Sequence, residues 1–276
     1  IIVCCFITQW VSAQTPKWAE KAKKAVFSVV TYDKENKIKG TGNGFYIDGQ
    51  GTALSDYTLF ENAERAVIIN TDGKQQIVNR ILGANSMYDI VKFNTPIDKK
   101  QMTLTIAAQP AKVGETVYLL PYSTQKATAL QTGKVTSVDS IGNQSFYYTL
   151  EMKTGEKTVS CPIMNANGEV LGLIQKNASD DSMESYAIGA SYGNALAISA
   201  LSMNDPALSS IGIKKALPDT EEQALVFLYM SSEQQDRDKY FVLLNDFLSQ
   251  YPNSMEGYIR RANYYMHGDN AEQYPL

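Results

Sequence analysis

The chain has one histidine in 276 residues, and it stands at position 267. Everything before it lacks the side chain that most often takes up a proton near neutral pH. Cysteine is nearly as scarce. Cys4 and Cys5 lie in an apolar run at the start, which leaves Cys161 alone in the body of the chain. A single thiol excludes an internal disulfide and leaves no basis for a cysteine metal site. Charge of one sign is missing too. The 25 basic residues face 29 acidic ones with no long run of either, so the balance calls for no nucleic-acid partner. The one basic cluster, Lys21, Lys23 and Lys24, reads as the solvated face of a short helix.

The opening "IIVCCFITQWVSAQ" is apolar, too short for a membrane span, and ends in the small residues of Val11-Ser12-Ala13. Residues 1–14 therefore read as the remnant of a secretory signal, and the mature chain as an exported protein, periplasmic or extracellular, without a transmembrane span. From there to about residue 198 the sequence is a succession of short β-rich runs, such as "AVFSVVTY", "AVIINT" and "SFYYTLEM". Turn pairs break them at Asp72-Gly73, Gly142-Asn143 and Asn167-Gly168. With 44% hydrophobic residues to fill a core, evenly spaced short strands predict a barrel or sandwich and not a parallel sheet. After Asp219 the period changes. Tyr240, Leu243, Leu244, Phe247, Leu248 and Tyr251 form the stripe of an amphipathic helix that Pro252 stops, so a helical segment is expected from residue 217.

Several stretches, in order, resemble the protease domain of HtrA-like, trypsin-family serine proteases. They are "GNGFYIDGQGTALSDYTLF", "LGANSMYDIVKF", "KVGETVYLLPY", "TGKVTSV" and "CPIMNANGEVLGLI". The resemblance implies a double β-barrel over residues 15–210, able to fold by itself, with the active site between the barrels. That site needs a hydroxyl nucleophile, an imidazole and a carboxylate. Carried over residue by residue, the histidine position falls on Thr58, the aspartate on Asp89, the nucleophile on Val159 and the oxyanion-hole glycine on Lys157. Only the carboxylate survives, and it is expected to hydrogen-bond main chain or the Thr58 hydroxyl. Val159 is β-branched and resists the strained turn an oxyanion hole uses.

The expected function is accordingly that of a non-catalytic pseudoprotease acting through protein or peptide partners. The alternative is a trypsin-like serine endopeptidase with an unrecognised or shifted site, using Ser160 with Lys157 as its base; Cys161, without a base, reads as an ordinary small buried residue. No cofactor or metal is implied. The groove of this fold includes a strand that pairs with extended peptide, and it resembles "SYAIGAS", which makes Tyr186, Ala187, Ile188 and Gly189 candidate contacts. The end of the chain, "YPNSMEGYIRRANYYMHGDNAEQY", resembles a tetratricopeptide repeat, with Tyr258 and Tyr265 as packing aromatics and Ala262 at the close approach of two helices. That register places Glu256, Ile259, Asn263 and Met266 on the concave binding surface. Residues 217–276 then read as an all-α helical-repeat segment cut short, in a piece of a longer protein.

Overall fold

A computed structural model of the chain describes residues 15–97, 101–125, 130–142, 145–177, 182–234 and 236–266. The apolar start, Asn143 of one expected turn, and His267 with the rest of the repeat-like tail lie outside the described residues. The β-rich runs become thirteen antiparallel strands in two sheets. The first holds β1 (Val26–Tyr32), β2 (Ile38–Tyr46), β3 (Thr52–Ser55), β4 (Arg65–Ile69), β5 (Gln75–Ile77), β6 (Arg80–Asn85) and β7 (Ile90–Asn94). Its strand order is β5-β4-β1-β2-β3-β7-β6, a half-barrel. The second holds β8 (Thr116–Leu119), β9 (Gln131–Ile141), β10 (Ser145–Glu151), β11 (Pro162–Met164), β12 (Val170–Ile174) and β13 (Glu184–Gly189). These six close into a barrel in the order β10-β13-β12-β11-β8-β9.

The turn chemistry is visible where it was expected. Gly73, between β4 and β5, and Gly168, between β11 and β12, have φ of 77° and 80°, a region in which a Cβ is strained. Gly168 also lies under the Trp18 ring, and the Trp18 indole N–H donates to Ala166 O at 3.0 Å. This contact holds the entry segment against the second barrel. That segment contains α1 (Ala19–Ala22). Its lysines do not all face solvent. The Lys23 side chain is only 11% exposed and pairs with Glu20 at 2.8 Å.

Alternating side chains fill both barrels, and a third apolar layer lies between them. Val26, Phe45, Leu54 and Ile90 from the half-barrel meet Leu120, Met164, Val170, Leu173 and Ile188 from the closed one. The short helices α2 (Tyr57–Phe60), α3 (Tyr192–Ala195) and α4 (Pro206–Ser209) follow β3, β13 and the second barrel respectively.

Three longer helices complete the chain: α5 (Glu221–Gln234), α6 (Arg237–Gln250) and α7 (Met255–Met266). The stripe read from the sequence is the buried face of α6, with Leu243, Leu244, Phe247 and Leu248 inside. What the sequence did not show is where that face goes. It joins Ala224, Phe227 and Leu228 of α5 and, through Leu208, Ile211, Ile213 and Leu217, the core of the half-barrel.

The connector is also stitched to the half-barrel by main-chain bonds. Asn62 N donates to Ser210 O and Gly212 N to Ala63 O, while Ile81 pairs with Lys214 and Ala216. The β-barrel unit thus extends past residue 210 to about Leu217. Each of the buried aliphatics beyond residue 210 contributes about 1.5–3 kcal/mol of burial.

Helix α7 approaches α6 closely at Gly257, while the helix expected to meet Ala262 lies outside the described residues. A Cβ on Gly257 would come within 2.7 Å of Leu248 and 2.8 Å of Phe247. Ala262 is exposed, and the aromatics expected to pack beside it, Tyr258 and Tyr265, are 45% and 37% exposed.

Candidate functional site

The residues carried over from the protease resemblance do come together, at the seam between the two barrels. On the half-barrel side the chain leaves β3 through Ser55 and enters α2. Asp56 caps this helix, its Oδ2 accepting from Leu59 N at 3.1 Å. Thr58 sits in the first turn with its side chain exposed, and its main-chain N–H donates to Asp89 Oδ1 at 2.7 Å. The carboxylate left over from the family pattern thus orients backbone. Asp89 itself is held in the left-handed region at φ 46°.

On the closed-barrel side, Glu156–Thr158 forms a single 3₁₀ turn ahead of β11. Val159 follows in a relaxed extended conformation, φ −56° and ψ 136°. The left-handed position of this segment falls on Ser160, at φ 61°. The 3₁₀ turn has a chemical consequence. Val159 N–H donates to Glu156 O at 3.3 Å, inside its own loop. An oxyanion hole needs such a donor aimed outward at the reacting oxygen, and this one is turned inward. Lys157 is exposed.

Ser160 is 1% exposed and points into the seam. Its Oγ donates to Asp56 Oδ1 at 2.7 Å, across 104 positions of sequence. Ser55 Oγ adds a weaker contact to the same oxygen at 3.3 Å. A second bridge runs parallel. Asn43, from β2, donates its side-chain amide to Lys157 O at 3.0 Å and Val159 O at 2.8 Å. Ser55 Oγ in turn donates to Asn43 O at 2.6 Å.

Loss of water raises the pKa of Asp56, the Ser160 hydrogen bond pulls it back, and the neighbouring Asp89 charge raises it again. This holds although part of Asp56 still touches solvent. Together these bonds make a polar clamp between the two barrels.

Asp56, Asn43 and Ser55 were not singled out from the sequence. For Asp56 a signal existed, an aspartate immediately before a short apolar stretch, as in a helix cap. For Asn43 none did. Cys161, beside the clamp, is fully buried, and burial pushes its thiol up to about 12, so it is inert near neutral pH.

The strand expected to receive peptide is placed differently. β13 runs between β10 and β12, and Ala187 and Ile188 are paired on both sides. Those residues and Gly189 are buried, so the strand offers no free main-chain edge there. Only the Tyr186 ring reaches the surface, stacked on Tyr147 with centroids 6.2 Å apart. On α7, Glu256, Ile259, Asn263 and Met266 share one face. Ile259 is 48% and Met266 37% exposed, and Glu256 pairs with Arg260 at 2.9 Å.

Two antiparallel β-barrels, with the turn after β3 facing the loop before β11 across their junction, define the fold of a trypsin-like peptidase domain. Residues 42–173 match the family model described as trypsin-like peptidase domain. Among solved structures, the chain is similar to the active form of the Rv3671c protease from M. tuberculosis. The TM-score is 0.54 and the identity 18%, over 72% of this chain and 85% of that one. At that identity the likeness establishes the fold alone. No curated protein matches the chain by sequence. Among the described residues no helix is long and apolar enough to cross a membrane.

Proposed function

We propose that the chain is a pseudoprotease: an HtrA-like, trypsin-fold domain without its reaction, exported and acting through protein partners that its helical segment engages. The observation that carries the reading is the state of the buried Ser160 hydroxyl at the seam. Ser160 spends its proton on Asp56, and the positions of nucleophile and base are Val159 and Thr58. A serine nucleophile needs a base that takes its proton and donors that receive the oxyanion. A carboxylate that also caps a helix is a poor base for a hydroxyl, and the Val159 N–H faces Glu156.

The export component rests on the apolar start. The partner component rests on the exposed face of α7, which fits a tetratricopeptide-like array. The test is to treat the purified chain with a serine-directed fluorophosphonate and with unfolded casein, alongside a Ser160→Ala variant. Neither labelling nor cleavage is expected from either protein. Stoichiometric labelling that maps to Ser160 overturns the reading in favour of an endopeptidase with a shifted site. For partners, Asn263→Ala with Met266→Ala should weaken capture while the fold is kept.

A further inference from the structure

A cavity of about 560 Å³ lies away from the seam, where the half-barrel, the connector and the helices meet. Its volume is that of a small-molecule site. The lining includes apolar, buried residues: Leu208 from α4, Ile211 and Ile213 from the connector, Phe227 from α5 and Leu243 from α6. Charge is confined to the walls and mouth, and most of it is accounted for. Lys214 pairs with Asp246. Lys239 lies 3.8 Å from Asp236, and Asp238 receives the Tyr264 hydroxyl at 3.5 Å. Glu64 lies flat against Gly212, where a Cβ would come within 2.3 Å of its carboxyl carbon.

Lys215 is the exception. Its Nζ donates to Ile211 O, and among the described residues it makes no ion pair. Burial pushes its amine down to about 8, with Glu64 pulling it back up and Lys239 pressing it further down. A half-buried ammonium with no ion-pair contact among the described residues is costly, and a carboxylate brought to it gains a charge-assisted hydrogen bond.

The structure assigns this cavity to a small monocarboxylate with an apolar body, its carboxylate on Lys215 and its tail over Phe227, Ile213 and Leu243. Glu64 and Asp238 at the mouth disfavour a dianion such as phosphate. Lys215 and Lys239 disfavour a cation. A ligand so placed would touch the connector, α5 and α6 at once.

The test uses the full chain and three matched probes, octanoate, 1-octanol and octylammonium, in calorimetry and thermal melting. Octanoate should bind with one site per chain and raise the melting temperature. The alcohol and the amine should bind about tenfold more weakly or worse, the loss that one charge-assisted hydrogen bond implies. Octanoate affinity should fall as the pH rises above about 8, where the free Lys215 loses its charge. Lys215→Met should fold, since it removes an unpaired charge from an apolar wall, and should lose the preference for octanoate over octanol. Val242→Glu, at a mouth position 53% exposed and so harmless to folding, should weaken octanoate severalfold by like-charge repulsion. Equal binding of octanoate and octanol, or undiminished octanoate binding by either variant, overturns the assignment.

Discussion

Replacing Asp56 in two ways separates what its shape does from what its charge does. Asp56→Ala strips the cap from α2, leaving the Leu59 N–H without its partner, and leaves the buried Ser160 hydroxyl without an acceptor. A lost cap costs about 0.5–2 kcal/mol and an unsatisfied buried hydroxyl about 1–3. Together they predict a loss of roughly 1–4 kcal/mol after overlap between the two.

Asp56→Asn should behave otherwise. Asparagine caps a helix as well as aspartate does, and its amide can donate to the Ser160 oxygen. It carries no charge that burial must penalise. Its stability at neutral pH should match or exceed that of the parent chain. The pH dependence follows from the direction of the shift. The folded chain holds the Asp56 proton more tightly than the unfolded chain, whose value is the ordinary 3.8. The charge therefore costs stability above the folded value, and that cost is relieved as pH falls through it. The advantage of the asparagine variant should be largest near neutrality and shrink toward acid. Urea unfolding followed by intrinsic fluorescence from pH 8 down to pH 5 measures all three proteins. An asparagine variant as damaged as the alanine one, or an advantage that grows toward acid, refutes the argument.

Further outcomes follow from the same geometry. Thr58→His with Val159→Ser should restore little peptidase activity, because the Val159 N–H stays bonded to Glu156 O and losing one oxyanion donor costs about 10²–10³ in rate; protease-like turnover on a chromogenic peptide contradicts this. Gly257→Ala should destabilise the α6–α7 contact by about 1–3 kcal/mol through overpacking, read as a lower melting temperature, whereas Ala262→Ser, at an exposed position, should leave melting unchanged. A chain ended after Pro218 should melt higher than one ended after Ser210, which loses the buried Ile211 and Ile213 and the bonds of Gly212 to Ala63 and of Lys214 and Ala216 to Ile81; coincident melting would show that the connector adds nothing to the half-barrel.

Much of this fold could be read from local pattern, because local pattern is what sets it. Gly73 and Gly168 announce turns whose backbone only glycine adopts easily, and the period of Leu243, Leu244, Phe247 and Leu248 announces a helix with one buried face. What that face meets is not written locally. The α5 run "ALVFLYM" has the composition of any packing helix, and only the course of residues 210–217 along the half-barrel makes the two share a core. The seam divides in the same way. Thr58, Asp89 and Val159 were placed by the order of neighbouring strands, whereas the Asp56–Ser160 pair joins loops from different barrels. The β13 expectation failed to foresee a strand paired on both sides because strand neighbours, unlike strand existence, depend on the whole barrel.

The parallel pairing of Ile81 with the connector has a mechanical meaning. A bond set that runs alongside the pulling direction must break together, in shear, and cannot be opened one rung at a time. Tension applied through the helices, as by a bound partner drawn away from the protein, would reach the half-barrel along residues 210–217 before any loop could stretch to absorb it. The closed barrel, which the chain enters from the connector through α4, α3 and the end of β13, would take up that pull once the connector had been stripped from Ile81.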